Sequence, residues 1–121
     1  MVSDAGRPVA GPVLSVRTVG GYVLVTVAGV VGPGDIKQLR ADLAVQAGGG
    51  ARLVVDLSGV EFGDLTLGVG MLAGVRNRVI EAGGSLLLVV DETLSLALRR
   101  IGVYEAIGAH ASLAEIDDVL A

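Results

Sequence analysis

The first structural elements are indicated by the alternation of apolar and polar positions. Residues 13–19 and 22–27 alternate or are continuously apolar, and they flank Gly20 and Gly21. Two adjacent glycines accept the positive φ angles of a two-residue hairpin turn, so the pattern predicts two antiparallel strands. The preceding residues 1–12 show no periodicity, which predicts a flexible arm ahead of a single domain over residues 13–121.

A helical repeat follows the hairpin. Ile36, Leu39 and Leu43 fall on one stripe, which ends at three successive glycines. Asp35 stands in front of this stripe, where an N-cap carboxylate would accept a free backbone N–H. We therefore predict a first helix that begins after Asp35.

Strand and helix patterns then alternate to the end of the chain. Residues 52–57 and 85–90 are short apolar runs typical of buried strands, and helices are predicted over residues 65–82, 92–101 and 112–120. In these helices Ala82 and Ile101 are placed on inner faces and Arg76 on an outer face. The order predicts an α/β fold: a mixed sheet of about four to five strands, preceded by a hairpin and packed with about four helices.

Composition and charge narrow the classes of partner. The formal net charge is −4, and Lys37 is the only lysine, so no basic cluster is dense enough to neutralise a nucleic-acid backbone. No apolar run approaches the length that crosses a bilayer, and no secretion signal is recognisable. We expect a cytoplasmic protein that binds neither nucleic acid nor membrane directly.

The residue types required for catalysis are scarce. The chain has no cysteine, and His110, its single histidine, is predicted to lie in a loop near the last strand. No Walker loop or dinucleotide-binding glycine pattern is present, and the carboxylates show no spacing typical of paired acid–base catalysis. We therefore predict no catalytic residue, no metal site and no cofactor, and we interpret the chain as a non-enzyme.

The segment 56–72 differs from the rest of the chain. A buried strand leads into a short loop, and Asp64 stands at the entrance to a helix, where free amides and the helix dipole favour a carboxylate. The glycines at 63, 68, 70 and 74 weaken such a helix by up to ~1 kcal/mol each relative to alanine. Close approach of another backbone would offset this cost, and that backbone could belong to the domain's own sheet or to a partner protein.

This segment resembles the STAS domains of bacterial anti-sigma factor antagonists. Those domains carry a strand ending in Asp-Leu-Ser-x-Val-x-Phe, matched here by residues 56–62, and an Asp-Ser-Ser/Thr-Gly loop, matched in part by Asp64-Leu65-Thr66. Residues 27–31 are similar to the family's Gly-Glu-Leu-Asp turn, and residues 98–107 to its Leu-x-x-x-Gly-Leu-x-x-x-Phe stretch. The resemblance spans roughly residues 13–121.

The resemblance implies a partner-switching protein. It would bind an anti-sigma factor that has a kinase-type ATP-binding fold and thereby release the sigma factor for transcription. The family's kinase then phosphorylates a loop serine of the antagonist, and the added charge disrupts the interface. The docking residues it implies are the helix opening and the loop before the first helix, namely Asp64, Leu65, Thr66, Leu67, Gly68, Gly32 and Asp35.

The chain departs from the family pattern at the phosphorylation site. Leu65 stands where the phosphoacceptor serine is expected, and Leu67 replaces the following glycine. Thr66 is the nearest hydroxyl that a kinase could phosphorylate. Gly32 stands in place of the aspartate of the family's turn, which leaves Asp35 as the nearby acid. We predict a variant that lacks the usual phosphoserine switch.

Other interpretations remain open from the sequence. The same fold without a phosphoserine would also suit a STAS accessory subunit of a membrane transport complex, such as a lipid ABC transporter. A nucleotide-binding domain is a third interpretation. The exposed strand of the opening hairpin could also pair with a copy of itself, giving a homodimer.

Overall fold

The computed structural model describes residues 11–120, and its secondary structure follows the predicted order. Residues 1–10, most of the predicted arm, lie outside the described residues, whereas Gly11 and Pro12 are half-buried. The elements are β1 (Val13–Val19), β2 (Tyr22–Val31), α1 (Ile36–Val45), β3 (Arg52–Phe62), α2 (Leu65–Glu81), β4 (Ser85–Val89), α3 (Glu92–Arg100), β5 (Ala109–His110) and α4 (Leu113–Leu120).

The strands form one mixed sheet in the order β1-β2-β3-β4-β5. β1 and β2 are antiparallel, and Val19 pairs with Tyr22 across the Gly20-Gly21 turn, in which Gly20 has a φ of 54°. All later neighbours are parallel, as expected for strands connected by helices. The predicted α/β fold, a five-stranded mixed sheet with four helices, is therefore confirmed. His110, predicted to lie in a loop, is the last residue of β5.

Two strands are longer than predicted. β2 was expected to end at residue 27 and β3 at residue 57, but they continue to Val31 and Phe62 and pair along this extension. Between the pairs Thr26–Asp56 and Ala28–Gly59, β3 advances by one residue more than β2, which is a β-bulge. The bulge interrupts the alternation of apolar positions, so the sequence pattern ends before the strand does.

Asp56 stabilises this bulge. Its Oδ1 accepts hydrogen bonds from the backbone N–H of Ser58 at 2.9 Å and from the Ser58 hydroxyl at 2.6 Å. The Asp-Leu-Ser part of the motif therefore closes a local turn within the strand. It carries β3 on to the edge of the sheet where the candidate site lies.

The core has two parts, one on each face of the sheet. On the first face, α1, α2 and α3 cover the central strands with fully buried side chains such as Leu43, Leu72 and Leu98. On the second face, Ile116 of α4 packs with Tyr22, Leu24, Val54 and Val89. Packing of α2 between the sheet and its neighbouring helices places the start of α2 beside the ends of β2 and β3.

Helix margins account for two of the three wrong side-chain assignments. Ala82 and Ile101, predicted on inner faces, follow the last residues of α2 and α3 and are exposed. Arg76, predicted on an outer face, is partly buried, and its Nη1 donates a hydrogen bond to the Leu86 carbonyl at 3.2 Å. Its long side chain reaches back over the sheet from a position that helical periodicity places outside.

Within residues 11–120, no helix combines the length and apolar character needed to span a bilayer.

Candidate functional site

The candidate site lies where two parallel strands end at the same edge of the sheet. Val31 of β2 pairs with Phe62 of β3, so the turn after β2 and the turn after β3 begin side by side. The backbone N–H of Gly63 donates to the Val31 carbonyl at 2.8 Å. A Cβ at Gly63 would lie 3.6 Å from the Gly32 Cα, so the two turns are in direct contact. The structure thus brings together the two segments that the sequence assigned to one surface.

The turn after β2 differs in detail from the prediction. Residues Pro33–Asp35 form a single 3₁₀ turn, and α1 starts only after it. The Asp35 side chain does not cap α1: its Oδ2 accepts a hydrogen bond from the Gly32 backbone N–H at 2.9 Å. The predicted N-cap role was wrong because the inserted 3₁₀ turn places Asp35 where its carboxylate reaches backward along the chain. Asp35 therefore holds the turn closed and is half-buried.

Asp64 caps α2 as predicted. It has an extended backbone, and its Oδ1 accepts a hydrogen bond from the Leu67 N–H at 3.1 Å. The Asp64 carbonyl accepts the first helical hydrogen bond, from the Gly68 N–H at 3.0 Å. The cap therefore holds the first turn of α2 in place within the isolated domain.

The first turn of α2 is open to solvent. Thr66 and Leu67 are exposed, and Leu67 leaves 44% of its surface accessible. Leu65, by contrast, is half-buried and packs against the core beneath the helix. The opening therefore presents one apolar side chain and one hydroxyl, next to the Gly32–Asp35 turn.

The glycines of α2 serve different purposes. Gly68 faces inward, and a Cβ there would lie 2.6 Å from Cδ1 of Phe62. The packing of the domain itself therefore requires glycine at this position. A Cβ added at Gly70 or Gly74 would meet no heavy atom within 4 Å, so no contact of the domain requires glycine there. The domain's own packing thus explains Gly68, whereas Gly70 and Gly74 leave a smooth outer helix face.

A groove beside the helix opening was not predicted. It has a volume of about 390 Å³ and lies between the end of β3 and the start of α3. Phe62, Leu65 and Ala97 contribute apolar surface, and Glu61 and Asp91 contribute carboxylates. The one signal that could have indicated it is Asp91, which follows a parallel strand at the same edge of the sheet and caps α3 through the Leu94 N–H.

The side chains at this edge include few of the types that bind metal ions. No group of three or more potential metal ligands occurs within residues 11–120. His110 lies on β5, with its Nδ1 3.2 Å from Oε1 of Glu115 in α4, and is not among the residues of the site. The groups that the site offers are apolar surface, carboxylates and the hydroxyls of Thr66 and Thr93.

Comparison with solved structures identifies the fold. The chain superimposes on an anti-sigma factor antagonist from Mycobacterium paratuberculosis with a TM-score of 0.73 and 19% identity, covering 87% of this chain and 90% of that one. An anti-sigma-factor antagonist (STAS) domain protein from Planctomyces limnophilus gives a TM-score of 0.74 at 16% identity, covering 89% and 97% of the two chains.

The Bacillus cell fate determinant SpoIIAA, in its phosphorylated form, gives a TM-score of 0.63 at 18% identity, covering 90% of this chain and all of that one. No protein-family model matches the sequence, and the comparison with curated proteins gives no match. At these identities the likeness establishes the fold. The chain has the STAS fold, as the resemblance implied.

Proposed function

We propose that this chain is a cytoplasmic anti-sigma factor antagonist, which binds a kinase-type anti-sigma factor and so releases the sigma factor. It acts by binding and not by catalysis. The observation that carries the proposal is the solvent-exposed first turn of α2 beside the Gly32–Asp35 turn, on a fold shared with solved anti-sigma factor antagonists. Asp64, Leu65, Thr66 and Leu67 form one half of the docking surface, and Gly32 and Asp35 form the other. Gly68, expected from the sequence to belong to this surface, is buried against Phe62 and lies beneath it.

Apolar contact at Leu67 would supply most of the binding free energy. The carboxylates of Asp64 and Asp35 already accept backbone hydrogen bonds within the domain, so they shape the surface more than they contact a partner. Leu67 is exposed, and Gly70, one turn further along, presents no side chain. A partner backbone can therefore approach the helix closely while it covers the Leu67 side chain.

The usual phosphoserine switch is absent in this proposal. Leu65 has no hydroxyl, and its side chain packs against the core. Thr66 is exposed, and its hydroxyl makes no side-chain hydrogen bond within the described part of the chain. A phosphate on Thr66 would place about two negative charges next to Asp64 at the docking surface, but Thr66 lies one residue beyond the position that the family's kinase modifies.

Affinity purification from the native cytoplasm tests the proposal. We expect the tagged chain to recover an anti-sigma factor with a kinase-type ATP-binding fold, identified by mass spectrometry. Recovery of a transporter ATPase from the membrane fraction, with no anti-sigma factor, would instead support the accessory-subunit interpretation and contradict the proposal.

The recovered kinase then tests the missing switch. With ATP it should leave the wild-type chain at its unmodified mass, whereas the variant Leu65→Ser should gain one phosphate because a hydroxyl now stands at the expected position. A phosphate that appears on the wild-type chain and is lost in Thr66→Val would show that Thr66 replaces the serine.

A further inference from the structure

The outer edge of β1 carries no further strand among residues 11–120. β1 is an end strand, and among the described residues it pairs only with β2. Its register with β2 is unbroken from Val13 to Val19, and Ser15, Val16, Arg17 and Thr18 are exposed. The strand contains no proline or bulge, and Arg17 is its only charged residue, so it has few of the devices that usually prevent edge strands from pairing. The opposite edge, β5, has only two residues and leads into α4.

The hairpin determines which backbone groups point to this edge. Residues that flank a two-residue turn form a hydrogen-bonded pair, and here they are Val19 and Tyr22. Because the pairs alternate along an antiparallel ladder, the N–H and C=O groups of Leu14, Val16 and Thr18 point away from β2. These three residues offer a regular row of donors and acceptors.

We propose that two copies of this chain form a homodimer by antiparallel pairing of their β1 strands about a two-fold axis at Val16. Each outward N–H of Leu14, Val16 and Thr18 then meets a carbonyl of the second copy. The two sheets become one continuous ten-stranded sheet. This proposal does not depend on the proposed function, because none of the proposed docking residues lies in β1.

The side chains of β1 fit this register. Pairing about Val16 places Val16 opposite its own copy and Val13 opposite Val19, so the exposed apolar side chains of Val13 and Val16, at 64% and 48%, meet apolar neighbours. Arg17, the one charged residue of the strand, lies opposite Ser15, so no like charges face each other. Centring on Arg17 would place two guanidinium groups opposite each other, and centring on Leu14, Ser15 or Thr18 would leave residues of Val13–Val19 unpaired. Pairing about Val16 uses all seven residues of each strand without a pair of like charges.

Sedimentation equilibrium of the full chain over a range of concentrations tests the dimer. Val16→Lys should weaken self-association at least about ten-fold, because two ammonium groups then lie directly opposite. Ile80→Lys is the matched control, since Ile80 on α2 is 49% exposed, like Val16, and should leave the association constant unchanged. A wild-type chain that stays monomeric at every concentration, or equal effects of the two substitutions, would overturn the proposal.

Cysteine cross-linking tests the register. The chain has no cysteine, so a single introduced thiol can form a disulfide only between copies. Under mild oxidation Val16→Cys should form a covalent dimer, because the two Cβ atoms lie opposite each other, and Ile80→Cys should not. Cross-linking of the two variants to the same extent would contradict pairing through β1. Circular dichroism of each variant verifies that it is folded.

Discussion

Replacing Gly68 with alanine is expected to destabilise the domain, whereas the same replacement at Gly70, two residues along the same helix, is expected to stabilise it. A Cβ at position 68 would lie 2.6 Å from Cδ1 of Phe62 and 2.9 Å from its Cγ and Cε1. The Phe62 ring would have to move, yet its backbone is held by pairing with Val31. Overpacking of this kind costs about 1–3 kcal/mol, which exceeds the gain in helix propensity of about 1 kcal/mol.

At Gly70 only the gain in helix propensity remains. No heavy atom lies within 4 Å of a Cβ built there, so Gly70→Ala should raise the free energy of unfolding by up to about 1 kcal/mol. Urea unfolding followed by circular dichroism measures both variants against the wild type. If Gly68→Ala and Gly70→Ala stabilise the domain equally, the Phe62 ring does not prevent a larger residue at position 68.

Substitution of Leu67 by lysine is expected to weaken anti-sigma factor binding by about ten-fold to a hundred-fold while leaving the fold intact. Leu67 is 44% exposed at the opening of α2, so its change costs little core packing. In the proposed complex, however, the side chain is covered, and a buried ammonium group without a partner is expensive. Isothermal titration calorimetry with the recovered anti-sigma factor measures the loss.

The control for Leu67→Lys is again Ile80→Lys. Ile80 lies near the other end of the same helix and is exposed to a similar degree, 49%. The Ile80→Lys variant should bind the anti-sigma factor with wild-type affinity, because Ile80 is not one of the proposed docking residues. Equal affinity of Leu67→Lys and wild type would exclude Leu67 from the interface and remove the apolar contact on which the docking model depends.

The sequence was sufficient to predict the elements whose periodicity is strong. The Gly20-Gly21 hairpin, the helical stripe of α1 and the Asp64 cap of α2 each depend on local chemistry, and each occurs in the structure. The end of β3 was missed because the bulge at Ser58 shifts its pattern of inward-facing residues, and the end of β2 because Ala28, Gly29 and Val30 are exposed before the buried Val31. The periodicity of one strand does not show a bulge, because the extra residue is recognised only from the pairing with the neighbouring strand.

The candidate site was predictable in position but not in detail. Contact between the Gly32 turn and the Asp64 turn follows from two parallel strands that end together, whereas the resemblance implied only that both turns belong to one docking surface. The backward hydrogen bond of Asp35 and the inward orientation of Gly68 depend on a 3₁₀ turn and on the Phe62 ring. The groove beside α3 is formed by segments about thirty residues apart in sequence, and a local sequence pattern does not show that two such segments are close in space.

Hydrogen–deuterium exchange of the complex with the anti-sigma factor tests the docking surface most directly. Binding is expected to slow amide exchange over residues 64–70 and around the Gly32–Asp35 turn, while α4, on the opposite face of the sheet, exchanges as in the free protein. Slowed exchange confined to α4 or β1, with the opening of α2 unchanged, would contradict the proposed docking surface.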